Sequence, residues 1–468
     1  MAKKWLKLGL IGFIAISLAA CSSNGGGSNT GGTNTPQQDD QSSMEKTKLS
    51  YWTMDRHDMD FMQQKIDEFN ATNEHNIEVE MTVMADNYNQ AVEVAFASNQ
   101  APDIFRISDF STYVKKNYLT SLDSFLSDEM KAKFEGVLAE NVNMADGKIY
   151  SLPNTGQYWR LIYNVDLFEQ AGLTEPPKTL DDMVEAAKKI TEAGKASGAY
   201  GFASNFKNTS GFWRPAYAMG SLGNGLGLDG YNFKTGEFDF SMYKEAAQAM
   251  RQMKEDGSML PGTETLDIDP LRAQFAQGKI GMYVNHSSEP AVYANQFPTD
   301  IRWEAALVPT ADGAMNGVTW VNAGSYIGIS EMSGHKAEAY KFLEYLYNED
   351  LRKEYQEKGY GISVLPFVNE IAGKPDIKGI EGFLPTQYDG IYPAAPLSIT
   401  ETKLEGLKMS DAFTKYVIAG GNIDEIIEDL NTRYAKALAS ARSEGLTNIE
   451  AIPSFDAGKL QGSLMVGE

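Results

Sequence analysis

The sequence predicts an α/β protein whose sheets contain parallel strands. After residue 45, segments with apolar residues at every second position are followed by segments whose apolar residues recur at helical spacing. Hydrophobic residues make up 42% of the 468 residues and charged residues 22%, which is typical of a packed globular protein. At roughly 150 residues per domain, this length allows two or three domains.

The first elements alternate regularly between strand and helix. The pattern predicts a short strand at 48–52, an amphipathic helix over 58–70 and an alternating strand over 77–83. A second helix is expected over 91–97 and another strand over 102–107. This order favours parallel strands, because a helix between two strands returns the chain to the edge where it started.

The middle and the C-terminal part of the chain continue the pattern. Thr179 and Asp182 form an N-terminal capping signature, which predicts a helix that runs to about residue 193. Alternating residues on both sides of a Thr-Gly pair predict a hairpin over 233–240. Further helices are expected at 242–254, 271–276, 337–347 and 423–441, and buried strands at 280–284 and 325–330.

The chain shows no contiguous domain boundary after residue 45. It contains neither an internal repeat nor a second low-complexity linker. The residues therefore leave two arrangements open: one large domain, or two lobes that share the chain by crossing back and forth.

The first 45 residues predict a targeting signal followed by a flexible tether. Three lysines among the first seven residues precede an apolar run over 8–20, which is shorter than the roughly 20 residues of a spanning helix and predicts a signal peptide over 1–20. The run ends in LAAC at Cys21, which resembles the lipobox of bacterial lipoproteins, whose cysteine is acylated, for example with palmitate. The polar residues that follow predict a lipid-anchored flexible tether over 21–45. The alternative is a plain signal peptide with a chance cysteine.

Composition and motifs argue against several classes of function. With 63 acidic and 41 basic residues, the net charge of −22 disfavours binding to nucleic acid or to anionic membrane surfaces. One cysteine and four scattered histidines predict no metal site, and no phosphate-binding loop or nucleophile elbow predicts a cofactor or a catalytic serine. The glycine-rich run 223–230 is more typical of a turn cluster than of a dinucleotide motif. A spatial pair of carboxylates, as in glycosidases, stays open.

Four tryptophans indicate a site for a polar ligand. Trp52, Trp159, Trp213 and Trp320 lie at the ends of predicted elements or beside Gly, Asn, Gln, Arg or Asp. In open α/β sheets, ligands bind at the carboxyl ends of the strands. An indole ring with amide and charged donors beside it suits a sugar, which has an apolar C–H face and a rim of hydroxyl groups. Each ring could instead be core, but loops and strand ends are mostly surface.

Short motifs in a fixed order make the chain resemble the family 1 extracellular solute-binding proteins. These are the sugar-capturing receptors of ABC importers, and maltose-binding protein is a well-known relative. The motifs occur between residue 48 and about residue 440, and each is weak alone whereas the ordered set is specific. They include APDIF from Ala101, DGKIYSLP from Asp146, LIYNVDLF from Leu161, FAQGKIGM from Phe275 and SGHKA from Ser333.

The resemblance implies a two-lobed, class II periplasmic-binding-protein-like fold. The lobes would be joined by a hinge of several crossing segments, with the ligand cleft between them, and would close on the ligand. The motifs place lobe 1 at 46–156 plus 323–375, and lobe 2 at 157–322 plus 376–468.

The resemblance also implies a set of ligand-binding residues. Asp109 resembles an acid that binds sugar hydroxyls, although the residue after it is often basic in the family and is Phe110 here. Gln157 stands where the family often has an acid, and an amide makes a weaker, neutral hydrogen bond. A structural role is an equal alternative for Arg160, Arg214 and His286. The expected ligand-binding residues are Trp52, Asp55, Asp109, Gln157, Tyr158, Trp159, Arg160, Trp213, Arg214, Asn285, His286, Trp320, Asn322 and Tyr360.

We therefore expect a monomeric, lipid-anchored receptor on the extracellular face of the cytoplasmic membrane. It would bind a mono- or oligosaccharide and deliver it to the permease subunits of an ABC importer, without catalysis and without a cofactor or metal. Replacing Trp159 by alanine is expected to weaken binding without unfolding the protein. The alternatives are a secreted carbohydrate-active enzyme with a carboxylate pair, a receptor of the same fold for a non-sugar solute such as a polyamine, and a surface adhesin or sensor.

Overall fold

A computed structural model describes residues 46–460, apart from 85, 86, 325, 401 and 448. The predicted signal peptide, Cys21 and the tether lie outside the described residues. The strands are β1 (Thr47–Thr53), β2 (Ile77–Val83), β3 (Ile104–Arg106), β4 (Met144–Ala145), β5 (Lys148–Ile149), β6 (Thr155–Asn164), β7 (Tyr200–Phe202), β8 (Gly227–Leu228), β9 (Tyr231–Asn232), β10 (Glu237–Phe238), β11 (Ile280–His286), β12 (Trp303–Ala306), β13 (Thr319–Asn322), β14 (Ile327–Ile329), β15 (Ile362–Ser363) and β16 (Asp389–Gly390).

Helices separate most of these strands, as the sequence predicts. The α-helices are α1 (Met59–Thr72), α2 (Tyr88–Ala97), α3 (Phe110–Lys115), α4 (Asp128–Ala132), α5 (Val165–Gln170), α6 (Leu180–Ala193), α7 (Ser210–Asn224), α8 (Lys244–Glu255), α9 (Ile268–Ala276), α10 (Glu289–Asn295), α11 (Lys336–Leu346), α12 (Glu349–Glu357), α13 (Pro366–Ile371), α14 (Met409–Ala419) and α15 (Ile423–Ser443).

Local sequence signals explain several of these elements. α6 begins after Thr179, whose side chain and that of Asp182 form the predicted capping box. In β2 the alternation buries Ile77 and Val79 and exposes Glu80, which matches the period of a half-buried strand. The predicted hairpin is also present, with its strands at β9 and β10 and the turn between them.

The first sheet has the strand order β14-β3-β1-β2. β1 pairs in parallel with both β2 and β3, whereas β14 is antiparallel to β3. The first three strands come from the start of the described chain, and β14 comes from more than 200 residues further along. This sheet is therefore completed by a segment that returns to it.

The second sheet has the order β16-β13-β6-β11-β7, and β12 and β15 also pair with β6. β6 is antiparallel to β11, β12, β13 and β15, while β11 pairs in parallel with β7 and β13 with β16. The ten-residue strand β6 thus runs against its neighbours and organises the whole sheet.

The two sheets are connected at their carboxyl edges. β13 ends at Asn322 in the second sheet, and β14 begins at Ile327, beside the end of β3 in the first. β6 begins at Thr155 on the same edge of the second sheet, where Ser363 of β15 pairs with it. Ligands of open sheets bind at the carboxyl edges of the strands. This topology therefore places the carboxyl edge of each sheet, where a ligand could bind, next to the connection between the sheets.

Two further properties bear on function. No helix in the described part of the chain has the length and apolar character needed to span a membrane. Within residues 46–460, as far as they are described, no three acidic, His or Cys side chains converge in a way that could hold a metal ion.

Candidate functional site

The carboxyl edge of the second sheet gathers side chains from three strands. β11 and β13 end there, and β6 begins there because it runs in the opposite direction. His286 is therefore paired with Trp159, and Asn322 with Gln157. The Asn322 side chain donates a hydrogen bond of 3.1 Å to the Gln157 amide oxygen. These four predicted site residues are brought together by strand register.

The centre of the candidate site is an aromatic cluster, which consists of Trp159, Trp213, Tyr217 and Trp320. The rings of Trp159 and Trp320 are nearly parallel, with centroids 6.1 Å apart. The Trp159 ring also meets that of Trp213 at 5.5 Å and that of His286 at 5.1 Å, both edge to face. Trp159 is only 1% exposed, whereas Trp213 and Trp320 are half-buried. Trp159 is thus the buried part of the cluster, and Trp213 and Trp320 provide the accessible surface of the cluster.

Helix α7 places the second layer of the cluster. Trp213 and Tyr217 are four residues apart and share one helical face, with ring centroids 5.6 Å apart. A side chain at Gly220 of this helix would bring a Cβ within 2.9 Å of the Tyr243 ring. Glycine at this position therefore lets α7 pack closely against the Tyr243 ring.

Arg214 lies over this cluster. Its guanidinium carbon is 5.9 Å from the Trp159 ring centroid and 5.7 Å from that of Trp213. Nη1 donates to the Asn285 side-chain oxygen at 3.3 Å, and within the described residues the buried Nε has no hydrogen-bond partner. Burial, reinforced by the neighbouring Arg272, lowers the pKa of Arg214 from its ordinary value. The side chain still has donor capacity for a ligand.

A buried network orients Asn285 toward Arg214. The Glu289 carboxylate is 0% exposed and accepts a hydrogen bond of 2.8 Å from the Asn285 amide nitrogen. Arg272 Nε donates to the same carboxylate at 3.1 Å, and the Tyr283 hydroxyl donates at 2.6 Å. A carboxylate can only accept here, so the Asn285 amide must present its oxygen to Arg214.

His286 is neutral at physiological pH. Burial, and after it the nearby Arg214 and Arg272, lowers the pKa of His286 to about 3. The Ser288 backbone N–H lies 3.4 Å from Nδ1, which places the ring proton on Nε2. The imidazole can therefore offer an uncharged N–H donor beside the Trp159 ring.

Two polar groups at the cluster, the Tyr217 hydroxyl and the Asp229 carboxylate, were not among the predicted site residues. The Tyr217 hydroxyl donates a hydrogen bond to the Asp229 carboxylate. Burial raises the pKa of Asp229, and the hydrogen bond from Tyr217 offsets only part of that effect. The signal for Asp229 was the Asp-Gly pair inside the glycine-rich run, because this pair favours a tight two-residue turn.

Two predicted site residues are structural. Tyr158 and Arg160 flank Trp159 on β6, and consecutive strand residues point to opposite faces of a sheet. Tyr158 is 0% exposed, and its hydroxyl donates to the Ser363 carbonyl at 3.0 Å. Arg160 is 1% exposed and forms two hydrogen bonds of 2.8 Å with the fully buried Asp389. The prediction that they contact ligand conflicts with this geometry.

The remaining predicted residues are not part of the aromatic cluster, and among them only Trp52 lies in the first sheet, on β1. Asp55 accepts a hydrogen bond of 3.0 Å from Arg106, and Asp109 caps α3. Trp52 lines a separate groove of about 500 Å³ along α2. The Tyr360 ring packs against Phe61, with centroids 5.0 Å apart.

Comparison with known families identifies the class of protein to which this two-lobed fold belongs. The family model described as bacterial extracellular solute-binding protein matches residues 55–353, which is more than half of the chain. The chain belongs to this family, and the family resemblance predicted from the sequence is confirmed.

Individual relatives match over part of their length. A binding protein of Brucella abortus (strain 2308) is 29% identical over 251 residues, which cover 53% of this chain and 58% of the relative. The chain thus spans little more than half of that relative. The sn-glycerol-3-phosphate-binding periplasmic protein UgpB of Agrobacterium fabrum is 30% identical over 211 residues, or 41% of this chain and 45% of UgpB.

A solved structure extends the similarity to most of the described chain. The GacH receptor of Streptomyces glaucescens, which has been solved without ligand and with acarbose, superposes with a TM-score of 0.65. The alignment covers 85% of this chain and 99% of GacH at 18% identity, so it establishes the fold alone. The predicted α/β, two-lobed, maltose-binding-protein-like fold is confirmed.

Proposed function

We propose that the protein binds a mono- or oligosaccharide and delivers it to an ABC importer without chemical change. The observation that carries this proposal is the aromatic cluster at the carboxyl edge of the second sheet. Its half-buried rings, Trp213 and Trp320, offer apolar surface for the C–H face of a sugar. Arg214 and the neutral His286 offer donors at the edges of that surface.

The two sheets support a proposal for the lobes. We place lobe 1 at 46–156 plus 323–375 and lobe 2 at 157–322 plus 376–468, with the connections between the carboxyl edges as the hinge. Closure would bring the first-sheet edge, with Asp55 and Asp109, toward the aromatic cluster. A ligand favours the closed form only through contacts that this form adds.

Localisation follows from the sequence pattern. We propose that Cys21 carries the lipid and that 21–45 tethers the receptor, as a monomer, to the outer face of the cytoplasmic membrane. Mass spectrometry of the membrane-extracted protein tests this proposal, because acylation adds a defined mass to an N-terminal peptide that begins at Cys21. A soluble protein cleaved elsewhere would contradict it.

A phosphorylated polyol is the second candidate ligand. Arg214 forms no ion pair with a carboxylate among the described residues, so its charge is available to an anion. UgpB, to which part of the chain is similar, is named for binding sn-glycerol 3-phosphate. A cationic ligand such as a polyamine fits less well, since Arg214 would repel it.

A thermal-shift screen separates these candidates. The panel contains glucose, galactose, xylose, maltose, sucrose, raffinose, glycerol 3-phosphate and spermidine. A ligand at 100 times its dissociation constant stabilises the protein by about 2.7 kcal/mol, which gives a measurable shift. The proposal expects a sugar to produce the largest shift; a response to glycerol 3-phosphate alone would favour the second candidate.

Two variants connect the response to the aromatic cluster. Trp320→Ala should weaken sugar binding by more than tenfold in calorimetry, because it removes an accessible indole. Tyr345→Ala, which removes a half-buried ring from α11, is the matched control and should leave the affinity unchanged. Turnover of a sugar polymer, seen as new reducing ends, would instead support the enzyme alternative.

A further inference from the structure

The glycine-rich run forms a hairpin turn beside the aromatic cluster. β8 and β9 pair antiparallel, with Leu228 opposite Tyr231, so that only Asp229 and Gly230 lie between the strands. Their φ values are 54° and 77°, as a type I′ turn requires. A Cβ at Gly230 would lie 2.2 Å from the Phe240 ring, so this turn needs glycine at its second position.

This turn fixes Asp229 next to Tyr217 of the cluster. Oδ1 of Asp229 accepts the hydrogen bond from the Tyr217 hydroxyl. The Tyr217 ring in turn lies 5.9 Å from Trp320 and 5.6 Å from Trp213, centroid to centroid. The Tyr217 side chain therefore links the Asp229 carboxylate to the accessible rings of Trp213 and Trp320.

The second carboxylate oxygen of Asp229, Oδ2, can accept further hydrogen bonds. Among the described residues, no group donates to Oδ2 and no cationic side chain pairs with Asp229. Asp229 as a whole residue is half-buried. A desolvated carboxylate with an unused oxygen favours a hydroxyl donor, because a charge-assisted hydrogen bond is stronger than a neutral one.

We propose that Asp229 is a ligand-binding residue whose free oxygen accepts a hydrogen bond from a hydroxyl group of a sugar seated on Trp320 and Tyr217. The proposal rests on the sugar-binding function proposed above. It assigns to the glycine-rich run a role in specificity: the carboxylate would select sugars with a hydroxyl at the ring position that reaches it.

Asp229→Asn is the sharpest test, because Asn-Gly suits a type I′ turn at least as well as Asp-Gly. The variant keeps one oxygen as the acceptor for Tyr217, and it replaces the other oxygen and the charge by a neutral NH2 group that cannot accept from a sugar hydroxyl. We expect its affinity for the sugar with the largest shift in the panel to fall about tenfold. Asp181→Asn makes the same change at an exposed position in α6 and should leave the affinity unchanged.

Tyr217→Phe provides a second measurement. It keeps the aromatic ring and frees Oδ1, so it should weaken sugar binding less than Asp229→Asn does. Deoxy analogues of the same sugar complete the test: one of them should lose affinity for the wild-type protein but bind the Asp229→Asn variant as well as the parent sugar does.

The outcomes separate this proposal from the proposed function. If the wild-type protein binds a sugar and Asp229→Asn binds it equally well, Asp229 is not a ligand residue, and the sugar-binding function stands. If no sugar in the panel binds the wild-type protein, the proposed function itself fails. If spermidine binds and Asp229→Asn abolishes that binding, the carboxylate recognises a cation and both proposals are wrong.

Discussion

Replacing Arg160 by methionine tests whether this side chain stabilises the fold or binds ligand. The guanidinium makes two hydrogen bonds of 2.8 Å to Asp389 and three more to backbone carbonyls, at 2.8 to 3.2 Å. Both partners of the ion pair are buried, at 1% and 0% side-chain exposure. Methionine would leave the Asp389 carboxylate buried without its cation, although Thr386 would still donate two hydrogen bonds to it.

The expected loss is large. Breaking a buried pair by removing one partner costs about 3–5 kcal/mol. Urea unfolding followed by tryptophan fluorescence measures this free energy, and Arg302→Met is the matched control. Arg302 also pairs with two acids, Asp166 and Glu169, but its side chain is 57% exposed. Exposed pairs contribute at most about 1 kcal/mol, so the control should lose far less.

Two results would refute this reasoning. A loss in Arg160→Met no larger than that in Arg302→Met would mean that the buried pair contributes little. A sugar affinity reduced more than tenfold, with the unfolding free energy unchanged, would return Arg160 to the ligand site. Adding Asp389→Asn to Arg160→Met should recover part of the lost stability, because the double variant buries no unpaired charge.

The remaining predictions concern the cluster and its surroundings. Trp159→Ala should destabilise the protein by roughly 3–5 kcal/mol, since it empties a fully buried indole site, whereas Trp213→Ala should mainly lower sugar affinity; urea unfolding and calorimetry on both variants check this. The low pKa of His286, about 3, means that the unfolded chain binds its proton first, so stability should fall as the pH drops from about 6.5 toward 3. His286→Gln should flatten that part of the stability curve, and an NMR titration should show that the His286 imidazole is not protonated near pH 6. Asp109→Ala removes the 3.1 Å cap to the Thr112 N–H and should cost about 1 kcal/mol in urea unfolding, with a smaller cost for Asp109→Asn.

Local elements were largely predictable from the sequence. The strand over 77–83 and the capped start of α6 at Thr179 occur where the pattern predicts them. Both signals act over a few residues: side-chain alternation in one case, and a hydrogen bond that a side-chain oxygen accepts from the third following backbone N–H in the other. The motif order then supplied the fold, which the comparison with GacH confirms.

The composition of the site was only partly predictable. Which tryptophans meet depends on the pairing of β6 with β11 and β13, and β6 lies more than 100 residues before either of these strands in the chain. The burial of a side chain also depends on residues that are distant in sequence. Arg160 is buried because Asp389, far along the chain, comes to lie beside it. The opposite orientation of Trp159 and its two neighbours, however, follows from strand alternation and could have been applied from the start.

Gly156 sets a limit on how this receptor can be altered. A Cβ there would lie 2.7 Å from Val321 and 2.7 Å from Val364, so a side chain cannot be added without displacing both. This crowded point lies where β6 leaves the connection between the sheets. A library designed to change the proposed ligand preference should therefore keep this crossing fixed and diversify the half-buried residues of α7 at the aromatic cluster, Trp213, Arg214 and Tyr217.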